Sequence, residues 1–317
     1  MTAASGARPA LEPIAVVPEA EAGLVAAVER AGGTVAPLDE RTRGIVWSAS
    51  AGGADLVDAL RRAPGTRWVQ LPWAGVDGFA DVLAAAHGDG RVWTSGKGVY
   101  AQPVAEHALA LTLALLRRLP RRARADEWRR DHSSRSLFGA RVVVLGAGGI
   151  AESLLRLLAP FGARVAVVRR GGGAVEGAER TVTTGRLLEV VTGADVLIVA
   201  AALTEETRGL VDAGVLAALA PGAVVVNVGR GPIVSTDALL AALDSGHLGG
   251  AGLDVTDPEP LPAGHALWSA PDCLITPHVA DALATTPALL AERVEHNVRA
   301  FLGEGDYAGL IDLEAGY

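Results

Sequence analysis

The sequence predicts an α/β protein made of two doubly wound, parallel-sheet domains. Three observations carry this expectation. Short Val-rich runs alternate with helical patterns along almost the whole chain, the order produced when crossover helices join parallel strands. The 317 residues exceed the usual extent of one domain. Half of the residues are hydrophobic (50%) and only 4% are aromatic, so Ala, Val and Leu must fill the cores, which suits helices packed on buried strands.

In the first segment, strands are expected at Ile14 to Val17, Gly33 to Ala36, Gly44 to Trp47, Trp68 to Leu71 and Arg91 to Trp93. Helices are expected at Ala20 to Arg30 and Ala54 to Arg62. A helix beginning near Tyr100 accepts Pro103 in its first turn, where the missing N–H costs little, and Glu106 suits its positive end. It is expected to run to about Leu119. Six further strands are expected at Arg141 to Leu145, Arg164 to Val168, Ala194 to Ala200, Ala223 to Val228, Ala251 to Val255 and Leu274 to Thr276. A last helix, Ala284 to Phe301, is long enough to cross back to the first domain. The expected division is therefore discontinuous: residues 1–97 with 283–317, and residues 98–282.

The strongest local signal is RVVVLGAGGIAESLLRLLAPFGARVAVVRR. An apolar strand ends at Gly146 and a helix starts in the same turn. Gly146 permits that turn, Gly148 lets the backbone approach a pyrophosphate, and the N–H groups around Gly149 and Ile150 face it with the positive end of the helix dipole. Dinucleotide binding is expected of residues 98–282. The next strand ends Val168-Arg169-Arg170, where NAD-binding versions usually carry an acid for the ribose hydroxyls. Two guanidiniums suit a 2′-phosphate instead, so NADP is expected to be preferred over NAD.

Three segments late in the chain each close an expected strand, where open α/β sheets place their ligands. They are VVVNVGRGPIV with Arg230, GLDVTDPEPLP with Asp254 and Glu259, and LITPHVADA with His278. Hydride transfer to a ketone needs a proton donor, an oriented carbonyl and a means of keeping the donor charged. His278 can supply the proton. Glu259, if adjacent, stabilises the imidazolium, and Arg230 can hold a carboxylate while polarising the carbonyl. Asp254 suits the nicotinamide carboxamide, and Thr204 and Val228 are expected as further cofactor contacts.

These stretches, with WVQLPWAGVDGF, GVYAQPVAEHALALTLALLRR and LTEETRGLVDAGVLAALAPGAVVVNVGRGPIV, resemble the D-isomer-specific 2-hydroxyacid dehydrogenase family from Trp68 onward, in the family's order. The resemblance implies two Rossmann/flavodoxin-like domains with a cleft between them, and a homodimer formed by the cofactor domains. It implies a small anionic 2-oxoacid or 2-hydroxyacid substrate, as in the glyoxylate/hydroxypyruvate reductases. The roles of Arg, Glu and His pass to Arg230, Glu259 and His278, and backbone N–H groups of Ala74, Gly75 and Val76 are expected to bind the substrate carboxylate. In this family Arg169 stands where NADP-using members also lack the acid. Two departures stand out: Ala202 replaces a common proline, and Asp281 adds a carboxylate near His278 that either changes its acidity or rejects a bulky anion.

Composition narrows the rest. A net charge of −8 and a pI near 5.4 argue against a general nucleic-acid grip. Val104 to Leu116, the most apolar long segment, carries Glu106 and His107 and is too short to span a bilayer. Cys273 stands alone, so no internal disulfide is expected, and with no secretory signal in view a cytoplasmic setting is. No histidine pair has metal-ligand spacing, so no metal is expected. His107, His247 and His296 are assigned to helix-surface, capping or core positions. The arginine-rich run from Arg117 to Arg135 reads as a solvated face or subunit contact, with attraction of anionic substrate as the second reading. Trp73 and Trp268, beside site motifs, either shape an acyl pocket or simply pack. Formate oxidation on the same fold is disfavoured because such relatives carry Gln at the place of Glu259. A nucleotide-sensing, corepressor-like protein is the alternative outside enzymology; the absence of an interaction tail weighs against it.

Overall fold

The computed structural model describes residues 12–49, 52–128, 130–270, 272–281 and 284–314. The chain divides into two compact units, residues 1–100 with 284–317, and residues 101–283.

The first unit runs β1 (Pro13–Val17), α1 (Ala22–Arg30), β2 (Thr34–Val35), β3 (Gly44–Trp47), α2 (Gly53–Arg62), β4 (Trp68–Gln70), α3 (Ala80–Ala85) and β5 (Val92–Thr94). All its strand pairs are parallel, in the flavodoxin-like order β2-β1-β3-β4-β5. Because side chains alternate along a strand, Ile45, Trp47 and Val69 join one core while Ile14, Val16, Val46 and Trp68 join the other. The helix Thr286–Phe301 covers the second core with Ala291, Val294, Val298 and Phe301, a spacing that keeps them on one face. Asn297 of that helix is fully buried and donates to Gln70 Oε1 at 2.7 Å and to the Ala308 carbonyl at 2.9 Å. Buried amides left without such partners would destabilise the unit, so this network ties the returning segment to β4.

The second unit begins with α4 (Ala101–Leu116) and α5 (Leu119–Ala123) and continues β6 (Arg141–Leu145), α6 (Gly149–Leu158), β7 (Arg164–Arg169), β8 (Arg180–Thr183), α7 (Leu187–Val191) and β9 (Val196–Val199). It ends with α8 (Ala213–Ala218), β10 (Ala223–Asn227), α9 (Thr236–Asp244), β11 (Leu248–Leu253), α10 (Ala266–Ser269) and β12 (Cys273–Ile275). Its parallel sheet has the order β12-β11-β10-β9-β6-β7-β8, a Rossmann arrangement extended by one strand.

Two local expectations need correction. The sheet has seven strands, not six, because β8 carries only Val182 as an apolar residue and lies at an edge. The helix expected to reach Leu119 stops at Leu116. Arg118 adopts a left-handed conformation (φ 49°), the Leu116 carbonyl accepts from the Arg135 N–H instead, and α5 restarts around Pro120.

Burial in β12 pushes the Cys273 thiol up to about 12. The neutral thiol is the poor nucleophile, so native protein at pH 8.5 should resist iodoacetamide while protein in guanidinium is alkylated at once. The sign is that of a group held neutral by folding. Its contribution is intact below pH 9.0, the ordinary thiol value, and is lost as pH rises towards 12. Rapid alkylation of the native protein would contradict the burial argument.

Candidate active site

The register of the second sheet gathers the site residues. Val168, Leu145, Val199, Asn227, Leu253 and Ile275 form one row across β7, β6, β9, β10, β11 and β12. The residues that follow them are Arg169, Gly146, Ala200, Val228, Asp254 and Thr276, so the expected site segments leave the sheet side by side at its carboxyl edge. This is where parallel sheets place ligands.

At the centre of the row, Gly146 has φ 120°, and a Cβ there would lie 2.5 Å from the Ala200 carbonyl oxygen. Only glycine can make this turn. Gly148 caps α6 with extended backbone and no side-chain cap, and a Cβ built on it would meet nothing within 4 Å. An uncapped helix N-terminus facing open space fits a dinucleotide pyrophosphate, with the first-turn N–H groups of Gly149 and Ile150 towards it. Arg169 closes β7, half-buried, and its guanidinium donates one long bond of 3.4 Å to the Gly173 carbonyl. Arg170 beside it is exposed. After β9, Thr204 N–H donates to Thr207 Oγ1 (2.8 Å), whose hydroxyl donates to the Ala202 carbonyl (2.8 Å), so the turn is held by threonine where a proline is common.

After β10, Val228 is buried and Asn227 locks the next turn. Its amide donates to the Arg230 carbonyl (3.0 Å) and its Oδ1 accepts from Gly229 N–H (3.1 Å). A Cβ on Gly231 would fall 1.8 Å from the Thr256 carbonyl oxygen, so close backbone packing fixes both flanks of Arg230. Its guanidinium donates to the Gly229 carbonyl at 2.8 Å. Asn227 is a residue that sequence reasoning missed, although its position in the VNVGRG turn was visible.

His278 and Glu259 meet. Nδ1 of His278 lies 2.7 Å from Glu259 Oε1, and Glu259 Oε2 accepts from the Thr256 N–H at 3.3 Å. The carboxylate is the acceptor, so Nδ1 carries the proton and Nε2 is left for a substrate. Both side chains are about half exposed (48% and 41%), which keeps them accessible. His278 has φ 52°, a left-handed conformation uncommon for a side-chain-bearing residue.

In the first unit, Ala74, Gly75 and Val76 follow β4 and lead into a 3-10 turn at Asp77–Phe79. The loop is braced from behind. Tyr100 Oη donates to the Pro72 carbonyl (2.8 Å), its ring packs against Trp73 at 5.3 Å, and Gly96 N–H donates to the Trp73 carbonyl (3.0 Å). Among the described residues, the N–H groups of Ala74, Gly75 and Val76 have no protein acceptor.

Residues 109–280 match the D-isomer specific 2-hydroxyacid dehydrogenase family in its NAD binding domain. This chain belongs to that family. It is accordingly an oxidoreductase that moves a hydride between a nicotinamide cofactor and a 2-hydroxyacid/2-oxoacid pair. Glyoxylate/hydroxypyruvate reductase A of Serratia proteamaculans is 33% identical over 221 residues, 68% of this chain and 69% of that protein. Hydroxyphenylpyruvate reductase of Plectranthus scutellarioides is 32% identical over 267 residues, 82% of each chain. Among solved structures, a D-isomer specific 2-hydroxyacid dehydrogenase from Xanthobacter autotrophicus Py2, in complex with NADPH and MES, aligns with a TM-score of 0.81. It covers 97% of this chain and 100% of that one, at 31% identity.

Other features of this dehydrogenase fall outside the row. Arg118 and Arg121 pair with Asp272, Arg122 with Asp131, and Arg135 with Asp195, so much of the arginine-rich run is tied into its own unit. Arg129 lies outside the described residues. An open depression lined by Arg141, Arg164, Glu179, Arg180 and Glu189 lies at the amino ends of β6 to β8, the wrong edge of a parallel sheet for the cofactor. Trp268 is 48% exposed and donates to the Pro262 carbonyl. His247 and His296 bond backbone carbonyls and His265 caps α10, all structural tasks. His107, half-buried on α4, bonds Thr276 Oγ1 at 2.9 Å. Among the described residues no helix is long and apolar enough to cross a membrane, and no cluster could hold a metal ion.

Proposed function

We propose that this dehydrogenase reduces a small 2-oxoacid of the glyoxylate/hydroxypyruvate class with NADPH, using His278 and Glu259 as its acid–base pair. The observation that carries the proposal is the 2.7 Å contact between Nδ1 of His278 and Glu259, at the carboxyl edge that also holds the Gly146 turn. The name of the Serratia relative and the NADPH bound to the Xanthobacter structure support the substrate class and the cofactor.

A nicotinamide cofactor, when bound, would supply the hydride that the carbonyl carbon accepts. His278 gives its Nε2 proton to the carbonyl oxygen, forming the hydroxyl, and the neutral imidazole keeps Nδ1–H on Glu259. In the oxidative direction the same nitrogen takes the proton back. Arg230 binds the substrate carboxylate and polarises the carbonyl, and the N–H groups of Ala74, Gly75 and Val76 bind the carboxylate oxygens. Gly146, Gly148, Gly149 and Ile150 would hold the pyrophosphate, Arg169 and Arg170 the 2′-phosphate, and Thr204, Val228 and Asp254 the remainder of the cofactor. Residues 1–97 with 283–317 serve as the substrate-binding domain and 98–282 as the dinucleotide-binding domain.

A homodimer in the cytoplasm completes the reading. Trp128 (97% exposed) and Phe138 (70%) on the second unit suit an apolar contact between copies, and the lone Cys273 suits a reducing compartment. A monomer by sedimentation at micromolar concentration would remove the dimer from the proposal.

Absorbance at 340 nm, with NADPH or NADH and a panel of glyoxylate, hydroxypyruvate, pyruvate, phenylpyruvate and branched 2-oxoacids, tests the whole. Turnover of glyoxylate and hydroxypyruvate with NADPH preferred is the expected result. Cofactor binding without turnover of any panel member would favour the sensing alternative.

A further inference from the structure

We propose that His107 and Thr276 are positioning residues that act through Asp254 to hold the turn carrying His278 in the conformation that meets Glu259. The inference rests on the reading of His278 as the proton-transfer group.

The turn from Thr276 to Ala280 is wrapped around one buried side chain. Asp254 is only 3% exposed, and its Oδ1 accepts from Thr276 Oγ1 (2.7 Å) and Val279 N–H (3.0 Å), while Oδ2 accepts from Ala280 N–H (3.1 Å). The Asp254 backbone carbonyl accepts from His278 N–H at 2.8 Å. Four bonds from one residue thus span the segment on both sides of His278. They hold it at φ 52°, a conformation that a free chain would rarely adopt.

The direction of the next bond follows from proton counting. A hydroxyl has one proton, and Thr276 gives its proton to the carboxylate, the stronger acceptor. Thr276 Oγ1 must therefore accept from His107 Nε2 at 2.9 Å, which fixes the proton of His107 on Nε2. His107 Nε2 also lies 3.6 Å from Asp254 Oδ1. The chain of donors runs from α4 through Thr276 into Asp254, and each member orients the next. A carboxylate so held cannot swing towards solvent and release the turn. Thr276 links β12 to Asp254 at the end of β11, and His107 braces that link from α4.

Four single variants, one double variant and one spectrum test this. Thr276→Val keeps the side-chain shape and deletes the hydroxyl. It should lower kcat about tenfold or more by misplacing His278, with the KM for glyoxylate and the Kd for NADPH held within about twofold. Thr276→Ser should restore most of the turnover. His107→Leu should lose kcat in the same way, and His107→Gln, whose amide nitrogen sits near the Nε2 position, should recover part of it. Because both act through one hydroxyl, His107→Leu combined with Thr276→Val should lose about what Thr276→Val loses alone, less than the product of the two single losses. A kcat within about twofold of the wild type for both Thr276→Val and His107→Leu would overturn the proposal. So would parallel losses of kcat and NADPH binding, or a fall in melting temperature with no change in kcat.

The spectrum separates failure of this inference from failure of the reductase reading. In protein labelled with ¹⁵N-histidine at pH 8, the resonance that disappears in His107→Gln belongs to His107. It should report a proton on Nε2 whether or not any 2-oxoacid is turned over. A proton on Nδ1 alone would overturn the relay, even in an active enzyme.

Discussion

His278→Ala is expected to lower turnover by about two to four orders of magnitude, the usual value of a positioned general acid, while NADPH binds within about twofold of the wild type. The large effect follows from geometry. Glu259 holds Nδ1 at 2.7 Å, so the imidazole is oriented before substrate arrives and no other described histidine bonds that carboxylate. Alanine also carries a backbone cost relative to histidine, since position 278 has φ 52° and histidine, unlike alanine, is enriched in the left-handed region. His278→Asn separates the two effects, because asparagine tolerates the left-handed region and cannot shuttle the proton. Stopped-flow or steady-state assays of both variants should find both inactive and both still binding cofactor. If asparagine restored turnover, backbone conformation rather than proton transfer would be the function of the position.

The second large effect is expected at the end of β7. Arg169→Asp should lower kcat/KM for NADPH by about 10- to 150-fold, the equivalent of one lost charge-assisted bond of about 1.5–3 kcal/mol. The new carboxylate should at the same time repel the 2′-phosphate and raise kcat/KM for NADH, since it can accept from both ribose hydroxyls. Arg169 is the better candidate of the pair for the larger share. It is half-buried at a strand end, in register with Thr183 of β8, so its backbone cannot move to evade the substitution. Arg170, exposed one residue later, should show a smaller loss when changed to Ala. Comparable efficiency of the wild type with NADH and NADPH, at matched concentrations, would defeat the assignment.

Much of this protein was legible in the sequence because its signals are local. A buried parallel strand needs a run such as Val142-Val143-Val144-Leu145, and a tight strand-to-helix turn needs glycine at 146, whatever the rest of the chain does. The same holds for Gly44 to Trp47 and for the pairing of Glu259 with His278, which residue types and motif order announced together. Edge strand β8 escaped notice because a half-exposed strand has no need of a continuous apolar run. The break after Leu116 escaped because Pro120 was the only local sign, and the acceptance of Arg135 N–H by the Leu116 carbonyl is a contact across nineteen residues of sequence.

What the sequence determined by itself was the class of fold, the dinucleotide turn and the identities of the chemical groups. Only the tertiary structure decided how those groups are held. Asp254, read from sequence as a cofactor contact, also anchors the turn of His278, and His107, assigned from sequence to a helix-surface, capping or core position, is hydrogen-bonded to Thr276 from α4. Asn227 locks the turn of Arg230 in the same manner. The reason is physical: a strand or turn states its requirement in neighbouring residues, whereas a buried polar group finds its partner wherever strand register and helix packing bring one within about 3 Å.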